Sequence, residues 1–183
     1  MQRPRRPAII DARRGARLAQ RAAMLALLLA AGAAPAQQER RNYYGDPFVQ
    51  VTAGLAGCPV PEGPLITAQE MREQAHGRSE RGTSCHRSGR CRLPNAYLYD
   101  KEIIPRVRQY IVQDGSFADT SVWIMGQRRW VTLMGCVNSE AQRDALERAV
   151  RGIDDVEAVV DELMVGRSAT PRYRTIGASA PAR

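Results

Sequence analysis

The chain lacks the short motifs that mark the commonest enzyme classes. Its 183 residues contain no Gly-x-Ser-x-Gly elbow, no Walker loop and no metalloprotease helix. A strained nucleophile, a phosphate cradle and a zinc-binding histidine pair each need one of those spacings, so none of these chemistries is indicated. Cys-x-x-Cys-His is also absent, which leaves no site for the usual covalent haem attachment. The apolar run at residues 24–31 is too short to span a bilayer, which takes about 20 such residues. No cysteine lies near Ala34-Pro35-Ala36, so a lipoprotein signal is not indicated either.

What is present begins with a leader. Arg3, Arg5, Arg6, Arg13, Arg14, Arg17 and Arg21 precede the apolar run, and Ala34-Pro35-Ala36 follows it. A basic stretch, a short apolar core and a small-x-small site predict a secretory signal over residues 1–36, cleaved near Ala36. The mature chain is then expected in the periplasm or outside the cell. The full sequence holds 27 basic and 19 acidic residues; residues 1–36 take seven of the former and one of the latter, leaving 20 against 18. The high isoelectric point therefore belongs mostly to the leader and is poor evidence for nucleic-acid binding. The charge that remains is uneven. Residues 71–96 carry six arginines and two glutamates, whereas residues 100–165 carry eight basic and twelve acidic residues.

Three zones and a tail follow the leader. Residues 37–63 read as extended and loop-rich, with a possible strand at 48–52 and too few large apolar side chains for a core of their own. In residues 64–96, Thr67 and Glu70 form a capping box for a short helix that Gly77 is expected to end. An arginine-rich loop with Cys85 and Cys91 comes next, so residues 37–96 are expected to be an extension to something better packed. Residues 97–165 supply that unit. Ile103, Ile104, Val107, Tyr110 and Ile111 recur at helical spacing, with Pro105 placing the helix start, or a bend, near Ile104. Residues 121–125 and 129–137 alternate as strands around a turn at 126–128. Ser139 and Gln142 open a second helix that Gly152 ends, and residues 156–165 read as a third strand. The tail, 166–183, is rich in Ser, Ala, Pro and Arg and is expected to be disordered.

Within 97–165, the run Trp130-Val131-Thr132-Leu133-Met134-Gly135-Cys136-Val137 resembles the second strand of the BON domain, a family of bacterial envelope modules. Ala145, Ala149, Gly152-Ile153 and Val160-Asp161-Glu162-Leu163-Met164-Val165 extend the likeness to the family's closing strand. One departure is the hairpin turn, where Arg128-Arg129 stand in place of the usual glycine and Gly126 would serve one register earlier. The resemblance implies an α+β fold of order αββαβ, two helices on one face of a three-stranded sheet. It also implies a binding role, often connected with phospholipid, without catalytic residues.

Strand alternation then sorts the side chains. Val122, Ile124, Val131, Leu133, Gly135, Val137, Leu163 and Val165 share the face under the helices. The opposite face receives Trp123, Met125, Trp130, Met134, Cys136 and Met164, more apolar surface than water tolerates without a contact. Either residues 37–99 fold back over it or a lipid or protein partner docks there; the coreless upstream segment favours the cover. Cys136 lies on that face, so a Cys58–Cys136 disulfide would staple the cover. Cys85 and Cys91, six apart, would then close a local loop; this is one of three connectivities.

Cys85, His86, Cys91 and His76 offer zinc-ligating side chains, but their spacing fits no usual site and exported thiols oxidise. No metal, cofactor or catalytic residue is expected. The candidate ligand surface is Arg78, Arg81, Arg87, Arg90 and Arg92, whose guanidinium groups suit phosphate geometry. The competing reading docks that loop on the acidic 100–165 unit. The function expected is binding of anionic phospholipid or another envelope component, with a structural or protein-interaction role as the alternative.

Overall fold

Alternation of Val, Ile and Leu with Trp and Met at 121–137 builds the central hairpin. In the computed structural model, which describes residues 38–177, strand β4 (Ser121–Gln127) pairs antiparallel with β5 (Trp130–Val137). The chain divides into units Met1–Gln38 and Glu39–Arg183, and the fold described is that of the second. The secretory signal expected over 1–36 lies outside the described residues.

The hairpin turn is tighter than its sequence suggests. Gln127 faces Trp130 directly, so only Arg128 and Arg129 lie between the strands, at φ 60° and 67°. Two left-handed residues are the mark of a type I′ turn, a conformation that favours Asn and Gly. Two arginines hold it because the Asp100 carboxylate accepts both of their backbone N–H groups, each at 2.7 Å. The expected turn at 126–128 is thus displaced by about one residue, and Gly126 sits inside β4. A Cβ there would lie 2.8 Å from Ile104 Cγ1 and 3.1 Å from Asp100 Cβ, so glycine serves close helix–strand approach rather than the turn.

Two further strands complete the sheet. β6 (Ala158–Val165) runs parallel to β5, and β2 (Phe48–Gln50) joins the free edge of β4 antiparallel. The order β2-β4-β5-β6 therefore has four strands where three were expected. A separate two-stranded ribbon pairs β1 (Arg40–Arg41) with β3 (Ile66–Thr67).

Among the described residues there are three α-helices. α1 (Ala68–Arg87) starts at the Thr67–Glu70 capping box, with the Glu70 N–H on Thr67 Oγ1 at 3.1 Å and the Thr67 N–H on Glu70 Oε2 at 2.8 Å. It does not stop at Gly77. It continues through Gly82, so residues 78–87 are helix and not the loop expected. Gly82 is buried against Asn95, where a Cβ would stand 2.6 Å from Oδ1. The contact with residues 95–99 thus offsets the helix cost of glycine, about 1 kcal/mol relative to alanine. A 3₁₀ turn (Ala96–Tyr99) leads into α2 (Asp100–Asp114), which begins before Ile104 and carries Pro105 on its exposed side. Gly115, at φ 74°, ends α2. α3 (Glu140–Arg151) is capped by Ser139, which accepts the Gln142 N–H at 3.1 Å.

Two apolar layers flank the sheet. Ile103, Ile104, Val107 and Ile111 of α2, with Leu146 and Val150 of α3, pack on Val122, Ile124, Val131, Leu133, Val137 and Leu163. Tyr110, counted in the helical stripe, is instead 44% exposed. On the other face Trp123, Met134, Cys136 and Met164 meet Cys58 and Tyr173, with Phe48, Leu55 and Met125 at the margin. That face is covered from within the chain, and Trp130, assigned to it, stays 39% exposed. Part of the cover comes from the segment expected to be disordered. The buried Tyr173 donates its hydroxyl to the Pro59 carbonyl at 2.9 Å, and the Glu62 and Ile176 amides bond the Arg174 and Val60 carbonyls at 2.8 and 3.0 Å. The tail is ordered there because one tyrosine ring finds apolar surface to fill; residues 178–183 lie outside the described residues.

Disulfides join Cys58 to Cys136 and Cys85 to Cys91, across sequence separations of 78 and 6. Loop-closure entropy makes the longer one worth about 2 kcal/mol more than the shorter. Denaturant unfolding of the Cys58→Ser/Cys136→Ser and Cys85→Ser/Cys91→Ser pairs is expected to show that difference; equal losses would mean that chain entropy is not the governing factor.

Candidate functional site

The five arginines singled out by sequence have three different fates. Arg78 lies on the face of α1 turned towards the sheet. Its guanidinium donates to both Asp46 oxygens, at 3.0 and 2.6 Å, and is stacked between the Tyr44 and Tyr97 rings at 4.0 and 3.9 Å. With its side chain 11% exposed, Arg78 is a structural clamp and not a ligand contact. Arg92 pairs with Glu102, lies 3.9 Å from Asp155 and sits over the Tyr99 ring. Both are consumed internally, but only Arg92 by docking on the acidic 100–165 unit, to which Glu102 and Asp155 belong; the partner of Arg78, Asp46, lies in the extension. Arg81, Arg87 and Arg90 remain exposed, and among the described residues none forms an ion pair, although Arg90 Nε donates to Ser88 Oγ at 3.0 Å.

A second surface went unnoticed in the sequence. Strand β2 and helix α2 flank an apolar groove of about 790 Å³. Phe48 and Val49 form one wall, and Ile104, Pro105 and Val112 the other. Val112 is 56% exposed, a high value for a large apolar side chain beside a groove. Lys101 and Arg108 also line it; both are exposed, and neither makes an ion pair among the described residues. Lys101, Pro105, Arg108 and Val112 recur at spacings of four, three and four. That places them on one stripe of α2, which the core-facing stripe of isoleucines draws attention away from. The signal was therefore in the sequence, but the opposite wall depends on β2 joining the sheet edge. An apolar trough with unpaired cations on its rim can hold an apolar chain and an anionic group together.

The buried carboxylates have structural duties. Asp46 receives Arg78 and also the Gln127 amide at 2.6 Å. Burial pushes the Asp100 carboxyl up to about 6, outweighing the Arg129 and Arg128 amides, which favour its charge. A pKa raised in the folded state means that folding takes up a proton. This contribution to stability is full below the ordinary value near 4 and lost as pH rises through 6, by about 3 kcal/mol. The stability advantage of the wild type over Asp100→Asn should therefore shrink between pH 4 and 6 in parallel thermal melts. A constant difference would show that Asp100 does not titrate in that window.

Helices lie over an antiparallel hairpin extended by a parallel strand, and beside them are an open apolar groove and cations without an ion pair among the described residues. The buried carboxylates, Asp46 and Asp100, hold arginine, glutamine and backbone amides, and the four cysteines are paired in disulfides. Residues 99–167 match the family model described as BON domain, a match over less than half of the chain. The match spans Tyr99 to the start of the tail and so takes in Lys101, Arg108, Val112 and Cys136. It leaves outside the strand β2, the helix α1, the free arginines and three of the four cysteines. The family is associated in general with the cell envelope and with phospholipid binding, and its members are generally non-catalytic. Comparison with curated proteins gives no match, and comparison with solved structures gives none either.

Proposed function

We propose that the mature chain is an exported, non-catalytic envelope module that binds anionic phospholipid. The observation that carries this reading is the groove between β2 and α2, which combines exposed apolar side chains with Lys101 and Arg108, neither in an ion pair among the described residues. Val112 and Phe48 suit the acyl region just below the headgroups, and the two cations suit the phosphate level. Arg81, Arg87 and Arg90 add a second basic surface, and each cation near an anionic membrane contributes about 1 kcal/mol. Among the described residues no helix is long and apolar enough to cross a membrane, so contact from the surface is the mode this reading needs. The family's general association with phospholipid supports the same ligand class.

Co-flotation of the oxidised exported chain with vesicles tests this directly. Binding is expected to anionic and not zwitterionic vesicles and to weaken with salt. Lys101→Gln/Arg108→Gln should weaken it about thirtyfold, from two lost attractions of about 1 kcal/mol each. Val112→Asn, which removes apolar contact without altering charge, should weaken it without changing the salt dependence. If only the Arg81→Gln/Arg87→Gln/Arg90→Gln variant loses binding, the contact belongs to the α1 surface instead. Absence of flotation at any salt would reject the lipid reading and favour an envelope protein as partner.

A further inference from the structure

The two disulfides sit in unlike surroundings. Cys136 is fully buried among Trp123, Met134, Met164 and Tyr173, and Cys58 lies beside it at the edge of the cover. Cys85 and Cys91, themselves buried at the margin of the helix-side core, instead tie the last turn of α1 to the residues that follow, and only the segment 86–90 between them is exposed. A side chain from the hairpin turn reaches this second bond. Arg129 Nη1 stands 3.2 Å from Cys91 Sγ and 3.7 Å from Cys85 Sγ. The same guanidinium is fixed by its Nε, which donates to the Asp155 carbonyl at 2.9 Å, and it lies 5.1 Å from the centre of the Tyr99 ring.

Arg129 makes no ion pair among the described residues. The neighbouring Asp155 carboxylate is engaged by Arg106 at 3.0 Å and lies 3.9 Å from Arg92, and Glu102 is engaged by Arg92. An arginine left without a carboxylate, yet turned onto sulfur, is poorly explained by stability alone. A disulfide sulfur is a weak acceptor, whereas a thiolate beside a guanidinium is strongly favoured.

We infer that Cys85–Cys91 is a thiol-exchange site whose substrate is a dithiol reductant, with Arg129 stabilising the thiolate that leaves. The incoming thiolate attacks Cys85 Sγ. A new S–S bond forms there, the Cys85–Cys91 bond breaks, and its electron pair departs on Cys91 Sγ, the sulfur closer to Arg129. The direction is set twice, because Cys85 lies in the last turn of α1, where the negative end of the helix dipole disfavours charge on its own sulfur. The second thiolate of the reductant then attacks the mixed disulfide. Cys85 leaves and takes up a proton, and the reductant is released as its own disulfide. Two electrons pass to the chain, and the Cys58–Cys136 staple is untouched. The inference does not depend on lipid binding, since none of these groups lines the groove.

The test is timed reduction of the folded, oxidised chain with dithiothreitol, quenched with N-ethylmaleimide and mapped by peptide mass. Cys85 and Cys91 should be labelled at least tenfold faster than Cys58 and Cys136, with the near-ultraviolet dichroism of the tryptophans retained. Arg129→Gln should slow that labelling about tenfold, and Arg129→Lys by less. Because Arg129 also holds the Asp155 carbonyl, a second measurement keeps Arg129 in place. In Cys85→Ser the free Cys91 should react with iodoacetamide with a pH midpoint below the ordinary thiol value of about 8.5. Labelling of all four cysteines at one rate, an unchanged rate in a folded Arg129→Gln variant, or a Cys91 midpoint at or above 8.5 would each overturn the inference.

Discussion

Strands β4 and β5 carry large apolar side chains on both faces, and most of the architecture answers that one constraint. A sheet with Val122, Ile124 and Leu133 on one side and Trp123, Met134 and Met164 on the other must be covered twice. The helices α2 and α3 supply the first layer. The second is assembled from pieces too short to fold alone: the segment around Phe48, Leu55 and Cys58, and the tail residue Tyr173. Apolar burial gathers these pieces, and the Cys58–Cys136 bond removes much of the entropy that would keep them apart.

The cover also makes the groove. Strand β2 joins the edge of β4 as part of the covering segment, and only then does Phe48 stand opposite the outer stripe of α2. The other wall is oriented from the hairpin. Asp100 begins α2 and at the same time binds the Arg128 and Arg129 amides, while Gly126 lets Ile104 approach the sheet. Groove, hairpin turn and helix start are therefore one mechanical unit, built from a buried carboxylate, a missing side chain and an added strand. The wall carrying Lys101 and Arg108 falls inside the BON domain, and the wall carrying Phe48 falls outside it.

Arginine illustrates how little a residue type says without its partners. Arg78 and Arg92 are bound to carboxylates and stacked on tyrosines, Arg129 is turned onto sulfur, and Arg81, Arg87 and Arg90 face water. All six come from short stretches that read alike. The roles of Arg78, Arg81 and Arg87 separate because α1 continues past Gly77, and a helix distributes neighbouring residues around its axis whereas a loop does not.

Local rules were sufficient where a signal and its consequence lie close in the chain. The period-two alternation at 121–137, the 3.6-residue stripe at 103–111 and the Thr67–Glu70 capping box each name their element directly, and their order within 97–165 follows. They failed where distant contacts decide. The helix runs on through Gly82 because Asn95 packs beside it, and the tail is ordered because Tyr173 finds the far face of the sheet. The two-arginine turn survives because Asp100 accepts its amides. The candidate site divides the same way. The stripe Lys101, Pro105, Arg108, Val112 is written in the helix spacing, but a groove needs a second wall, and β2 comes from more than fifty residues upstream. The sequence by itself determined which faces are apolar and where the charges lie. Only the tertiary structure decided which charges are neutralised, which sulfurs lie under a cation and which apolar face stays open, because each depends on groups that folding alone brings within a few ångströms.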